Sequence, residues 1–233
     1  MTNRGMFVPG DPDWYDRKLD CFLAVQACVE EEFKRLSSQA QAWHETTNAL
    51  EEKLDGNRPL EGESHSVVEL IPTDGGLVSR SELDNELPYI ARNGLYLAAF
   101  GFAEDALRDL AEAYPAPSRI KVRDLRGYGL EPLTNYLRDV RNLNLTDGLL
   151  RGDVKALANK TRHILVHRGS QLDEGSDDLQ KFSGLIRGCN VSKLLVIDSE
   201  TRVKLNTGFL RWFVQEAKKA IKYVITELVP SQT

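Results

Sequence analysis

Cysteine is scarce in this chain: Cys21, Cys28 and Cys189 are the only three in 233 residues, and no CxxC pair is present. So odd and sparse a set points to no disulfide framework. Cys21 and Cys28 stand seven apart on one helix face and are expected to be small buried residues. Long apolar runs are missing as well. No stretch approaches the roughly 18 residues of a membrane span. The opening MTNRGMFVPGDPDW lacks the apolar segment of a secretion signal. A cytoplasmic protein with no membrane partner is expected. A GxxxxGK[ST] phosphate loop is absent, which excludes nucleotide hydrolysis by that route. No internal repeat is visible.

Positive charge is in deficit overall. The formal net charge of −5 argues against a protein coated in basic residues for nucleic acid. The deficit is uneven. Residues 1–60 hold eleven acids and seven bases, whereas Arg151, Lys155, Lys160, Arg162 and Arg168 face only Asp153 within residues 151–168. Two of the four histidines, His163 and His167, fall inside that basic stretch.

With 41% hydrophobic and 28% charged residues, the chain suits a single globular domain spanning 1–233. Apolar residues at Phe22, Val25, Val29, Phe33, Leu36, Ala40, Trp43, Leu50 and Leu54 recur every three or four positions and predict one long amphipathic helix from Trp14. Ser66 to Ile71 reads as a short strand stopped by Pro72 and Gly75-Gly76. A second long helix is predicted from Pro88 to Tyr114, apolar almost all round between Gly94 and Ala103. Gly94 and Gly101, two turns apart, are expected to let a neighbour approach closely. A short helix follows over 133–140, then a basic helix over 148–167 ended by Gly169 in left-handed conformation. Ser170 to Gly184 reads as an acidic, mobile loop. Leu194 to Leu205 reads as a hairpin turning at Asp198–Thr201, and Thr207 to about Leu228 as a final helix. The fold class expected is mainly α: a bundle of long antiparallel helices with small β elements at 66–78 and 193–206.

The chemistry gathers at Arg162-His163-Ile164-Leu165-Val166-His167. On a helix, His163 and His167 lie one turn apart on the same side, with Arg162 about 100° around the axis. His167 and Arg168 occupy the last turn, where the helix's negative end favours cations. The plain alternative is a set of surface residues capping a helix. A zinc site is a poorer fit to HILVH, because Ile164 stands where HExxH needs its Glu and no further His or Cys cluster is near. Glu104, directly after the apolar segment, is an acid near the core. It can orient Arg162 or His167, or simply form a structural ion pair. Arg123, Arg126 and Tyr128 are candidates for RNA contact on a Gly-rich turn. His44 and His65 read as incidental.

KTRHILVHRGS closely resembles the signature of the HEPN superfamily (higher eukaryote and prokaryote nucleotide-binding): Arg, a polar residue, three mostly apolar residues, then His, at a helix end. LRGYGLEPLTNYLRDV and FGFAEDALRDLAEAY are similar to the segments preceding it in prokaryotic members, so the resemblance spans roughly 88–169 plus the terminal helix. His163 stands where members typically carry Asn. What the resemblance implies is a HEPN-like bundle acting as a metal-independent endoribonuclease without cofactor. Two protomers would face their Arg–His helices across one cleft, and the 2′-hydroxyl would attack the adjacent phosphorus to leave a 2′,3′-cyclic phosphate. Arg162, His167 and His163 would then be catalytic, Lys160, Arg168 and Lys155 would bind RNA, and Glu104 would support them. A role as a toxin or phage-defence effector, with an antitoxin or other defence protein as partner, is implied likewise. The alternative is a non-catalytic HEPN module that binds a partner protein or nucleotide.

Overall fold

The computed structural model describes residues 10–54, 70–73, 76–79, 86–114, 120–125 and 129–228. Ser66 to Glu69, His65, Arg126 and Tyr128 lie outside the described residues, as does the His44 side chain. Contacts divide the chain into two compact units, one formed by 1–24 with 92–233, the other by 25–91.

Six helices account for most of the described residues: α1 Pro12–Leu54, α2 Leu87–Ala113, α3 Leu130–Asp139, α4 Gly152–His167, α5 Asp177–Gly188 and α6 Thr207–Leu228. The mainly helical expectation therefore holds. Local chemistry explains several boundaries. Asp11 accepts the Asp13 N–H at 3.0 Å ahead of α1, and Pro12 tolerates a first helical position because no N–H is needed there. Cys21 and Cys28 are both exposed, contrary to expectation. The α1 residues fully buried in the core of the first unit are Tyr15 and Leu19, with Trp14, Phe22 and Leu23 packed at its edge, and Cys21 is turned about 200° from Leu19.

The β elements are two separate antiparallel hairpins, β1 Leu70–Thr73 with β2 Gly76–Ser79, and β3 Leu195–Ile197 with β4 Val203–Leu205. Pro72 and Gly76 belong to the first hairpin instead of stopping a strand. Both strands of a two-stranded ribbon are edges, so a proline without an N–H is tolerated there. The second hairpin turns where expected. Asp198 Oδ1 accepts the Glu200 and Arg202 N–H groups, both at 2.9 Å, and Thr201 takes φ 59°.

The acidic segment after α4 is the larger correction. It is not a loop to Gly184: α5 begins at Asp177, its first turn capped by Ser176 Oγ on the Leu179 N–H at 3.2 Å. Phe182 and Ile186, one turn apart, are buried and anchor it. The cap and this pair outweigh the helix cost of Gly184, about 1 kcal/mol.

The core of the first unit is aromatic at its centre. Tyr96 of α2 meets Phe209 and Phe213 of α6, and Phe100 of α2 meets Phe213, at ring separations of 5.0 to 5.9 Å, all four rings fully buried. Each such side chain contributes about 2–3 kcal/mol of burial. Close backbone approach does not occur at Gly94 or Gly101, where an added Cβ would meet nothing within 4 Å. It occurs instead at Gly148, where a Cβ would lie 2.2 Å from the Glu216 carbonyl oxygen.

Candidate functional site

The site is built on the outer face of α4. Val154, Leu157, Ala158, Thr161, Ile164 and Leu165 are buried, so the remaining positions must look outward. Tyr96 fixes this helix to the core by donating its hydroxyl to the Ala158 carbonyl at 2.8 Å. Burial pushes the Tyr96 phenol well above its usual range, against the opposing charge of Arg162, so it remains a neutral donor. At the other end Gly169 and Ser170 take φ 55° and 72°, and the Ser170 N–H returns to the Ile164 carbonyl at 3.3 Å. The left-handed closure expected at Gly169 is present.

Gly129, Glu131, Ala156, Asn159, Lys160, Arg162, His163, Val166 and His167 line an open groove of about 550 Å³. Arg162 is half-buried, its guanidinium carbon 5.1 Å from the centre of the Phe100 ring. That cation–ring contact holds a flexible side chain against the core edge. His163 and His167 are exposed and their rings lie 4.9 Å apart, tilted by 46°. The His163 imidazole is held below its ordinary value of 6.5, first by the partial desolvation its neighbours impose on an otherwise exposed ring and then by the positive charge of His167, Lys160 and Arg168, with Asp178 opposing. It is therefore neutral at pH 7 and has a lone pair to accept a proton.

The cations of this stretch differ in what they face. Arg151 pairs with Asp153 at 2.6 Å, Lys155 with Glu131 at 2.9 Å and Lys160 with Asp178 at 2.9 Å. Arg168 pairs with Asp178 at 3.0 Å and with Asp173 at 3.6 Å. Among the described residues Arg162 has no carboxylate partner. The sequence-predicted residues are thus only partly brought together: Arg162, His163, His167 and Lys160 share the groove, while Lys155 and Arg168 are not among its lining residues. Lys155 Nζ also donates to Thr134 Oγ1 at 3.2 Å. Arg123 is exposed in a 3-10 turn, Val122–Asp124.

Glu104 is buried, as its position after the apolar segment implies. Its Oε1 accepts the Gly129 N–H at 2.8 Å and an Arg108 N–H at 3.3 Å. Gly129, at φ 94°, lies beside Arg162, since an added Cβ would come within 3.8 Å of Nη1. Of the two expected alternatives, the structural ion pair is the one formed: Glu104 bonds to Arg108 and to the Gly129 backbone.

Sequence reasoning missed Phe100, Asn159, Gly129 and Asp178. Asn159 had a signal, standing one turn before His163 on the same face. Phe100 had none, because an aromatic inside an apolar helix does not announce which cation it carries. Among the described residues, no three His, Cys, Asp or Glu side chains form a cluster fit for a metal ion, and no helix is long and apolar enough to cross a membrane. No family model, no curated protein and no solved structure matches this chain.

Proposed function

We propose that the α4 groove cleaves RNA, with Arg162, His163 and His167 as its catalytic residues. One observation carries this reading: a guanidinium without a carboxylate partner among the described residues shares one open groove with two adjacent imidazoles. Guanidinium forks onto non-bridging phosphate oxygens and stabilises the charge that builds there. His163, neutral at pH 7, accepts the proton of the attacking 2′-hydroxyl. As the new O–P bond forms, the P–O5′ bond breaks, and His167 delivers a proton to the departing 5′-oxygen. The products are a 2′,3′-cyclic phosphate and a 5′-hydroxyl. The resemblance to the HEPN superfamily, through the same residues, supports the same chemistry and a toxin or phage-defence role.

This chemistry is served by side chains alone, so cleavage of total RNA by the purified protein is expected to continue in EDTA and to leave cyclic-phosphate ends. Strict dependence on added Mg²⁺, Mn²⁺ or Zn²⁺ would end the proposal. A second copy is also expected. In-line displacement places nucleophile and leaving oxygen on opposite sides of phosphorus, whereas both imidazoles of one protomer project from one side of α4. A two-fold axis near α4 supplies a second pair from across the cleft. Light scattering at micromolar concentration should report a dimer. A monomer that still cuts RNA would overturn the composite site while leaving the chemistry standing.

The ion pairing of Lys155, Lys160 and Arg168 favours a second reading, a non-catalytic module with weak hold on nucleic acid. Absence of any cleavage by the wild-type protein would select it.

A further inference from the structure

We propose that Asp178 sets how strongly the groove holds nucleic acid, by keeping Lys160 and Arg168 engaged and away from the phosphate backbone. This rests on reading the groove as a phosphate-binding site. The Asp178 carboxylate spends one oxygen on each cation, Oδ1 at 2.9 Å from Lys160 Nζ and Oδ2 at 3.0 Å from Arg168 Nη2. Asp173 lies 3.6 Å from the other arm of Arg168. Two positive charges thus meet two negative ones, and among the described residues Arg162 is left as the groove cation without a carboxylate.

The acid is not a dangling surface group. It stands in the first turn of α5, which Ser176 caps and which Phe182 and Ile186 anchor in the core. A carboxylate at that end of a helix is favoured by the helix dipole as well. The hydrogen bond from Lys160, then the charges of Lys160, Arg168 and Lys181, hold Asp178 below the usual carboxylate range, so it is ionised throughout neutral pH. A phosphate approaching Lys160 must displace a fixed anion already in place. The consequence is selectivity: a generic polyanion gains little from these two cations, and recognition falls to Arg162 and the imidazoles.

The test is binding of a fluorescent single-stranded 2′-deoxy oligonucleotide, which lacks the hydroxyl needed for cleavage, to the full chain over a range of NaCl. Asp178→Asn should bind roughly three- to tenfold more tightly than wild type at low salt, because two solvent-accessible ion pairs are opened. Its log–log salt slope should steepen by about 0.7 to 1.4, since Lys160 loses its carboxylate outright while Arg168 keeps Asp173, and each additional phosphate contact on a single strand adds about 0.7. Asp178→Glu, which keeps the charge, should bind as wild type does. Asp178→Ser, neutral and leaving the Ser176 cap in place, must reproduce the gain and serves if the Asn variant does not fold. Equal or weaker binding by the neutral variants, an unchanged slope, or no binding by any of them would overturn the proposal. RNA cleavage by the wild type is scored separately. Tighter binding by Asp178→Asn beside a wild type that never cuts RNA would retain this inference and discard the nuclease. An active wild type with no change on substitution would do the reverse.

Discussion

Arg162→Ala protein is expected to cleave RNA about 10²–10³-fold more slowly than wild type, the loss typical when one preorganised charge-stabilising donor is removed. The fold should survive. The side chain is half-buried and its principal packing partner is the Phe100 face, a contact worth about 1 kcal/mol. The melting temperature of a chain this size should therefore fall by only a few degrees. Arg162→Lys keeps the charge and loses the fork, and should recover part of the rate. The imidazoles give an independent readout. Because partial desolvation and neighbouring cations hold His163 below 6.5, the wild-type rate should be retained at neutral pH and lost as pH falls through that lowered midpoint, where the base becomes protonated. His163→Ala should abolish this acid limb along with most of the rate. Arg162→Ala cutting at the wild-type rate would show that the groove is not the site of cleavage.

The largest stability effect is expected from Gly148→Ala. Gly148 takes φ 53°, and a Cβ there would lie 2.2 Å from the Glu216 carbonyl oxygen, 2.7 Å from Lys219 Cβ and 2.8 Å from the Ala220 nitrogen. Two of these three atoms are backbone of α6, so no side-chain rotation relieves the clash. Overpacking of this kind costs about 1–3 kcal/mol, and the left-handed conformation adds about 1–2 kcal/mol for a residue with a Cβ. Together they predict a fall in melting temperature on the order of 5–15 °C, measured by circular dichroism. Gly101→Ala is the contrast. It sits inside α2 with nothing within 4 Å of the added methyl, so helix propensity should raise stability by up to about 1 kcal/mol. A Gly148→Ala protein that melts with wild type would mean that α6 does not press against this turn.

Periodicity alone determined a good deal of this protein. The extents of α1, α2 and α6, the inner face of α4 and the left-handed Gly169 follow from the spacing of apolar residues and from one glycine after a basic turn, because these are local properties of the backbone. So does the juxtaposition of His163 with His167, since positions one turn apart must be neighbours on a helix. What no local rule reaches is which residues far apart in sequence meet. Cys21 and Cys28 are evenly spaced yet exposed, because only the packing of α1 decides which of its faces is inside. Gly94 and Gly101 are placed for a close approach that tertiary packing makes at Gly148 instead. Sequence charge counts described residues 151–168 as a basic patch. The fold then set Glu131 against Lys155 and Asp178 against Lys160 and Arg168, and left Arg162 over the Phe100 ring. A charge acts over the distance to its nearest neighbours and through the solvent around it, and both are set only when α3 and α5 pack beside α4.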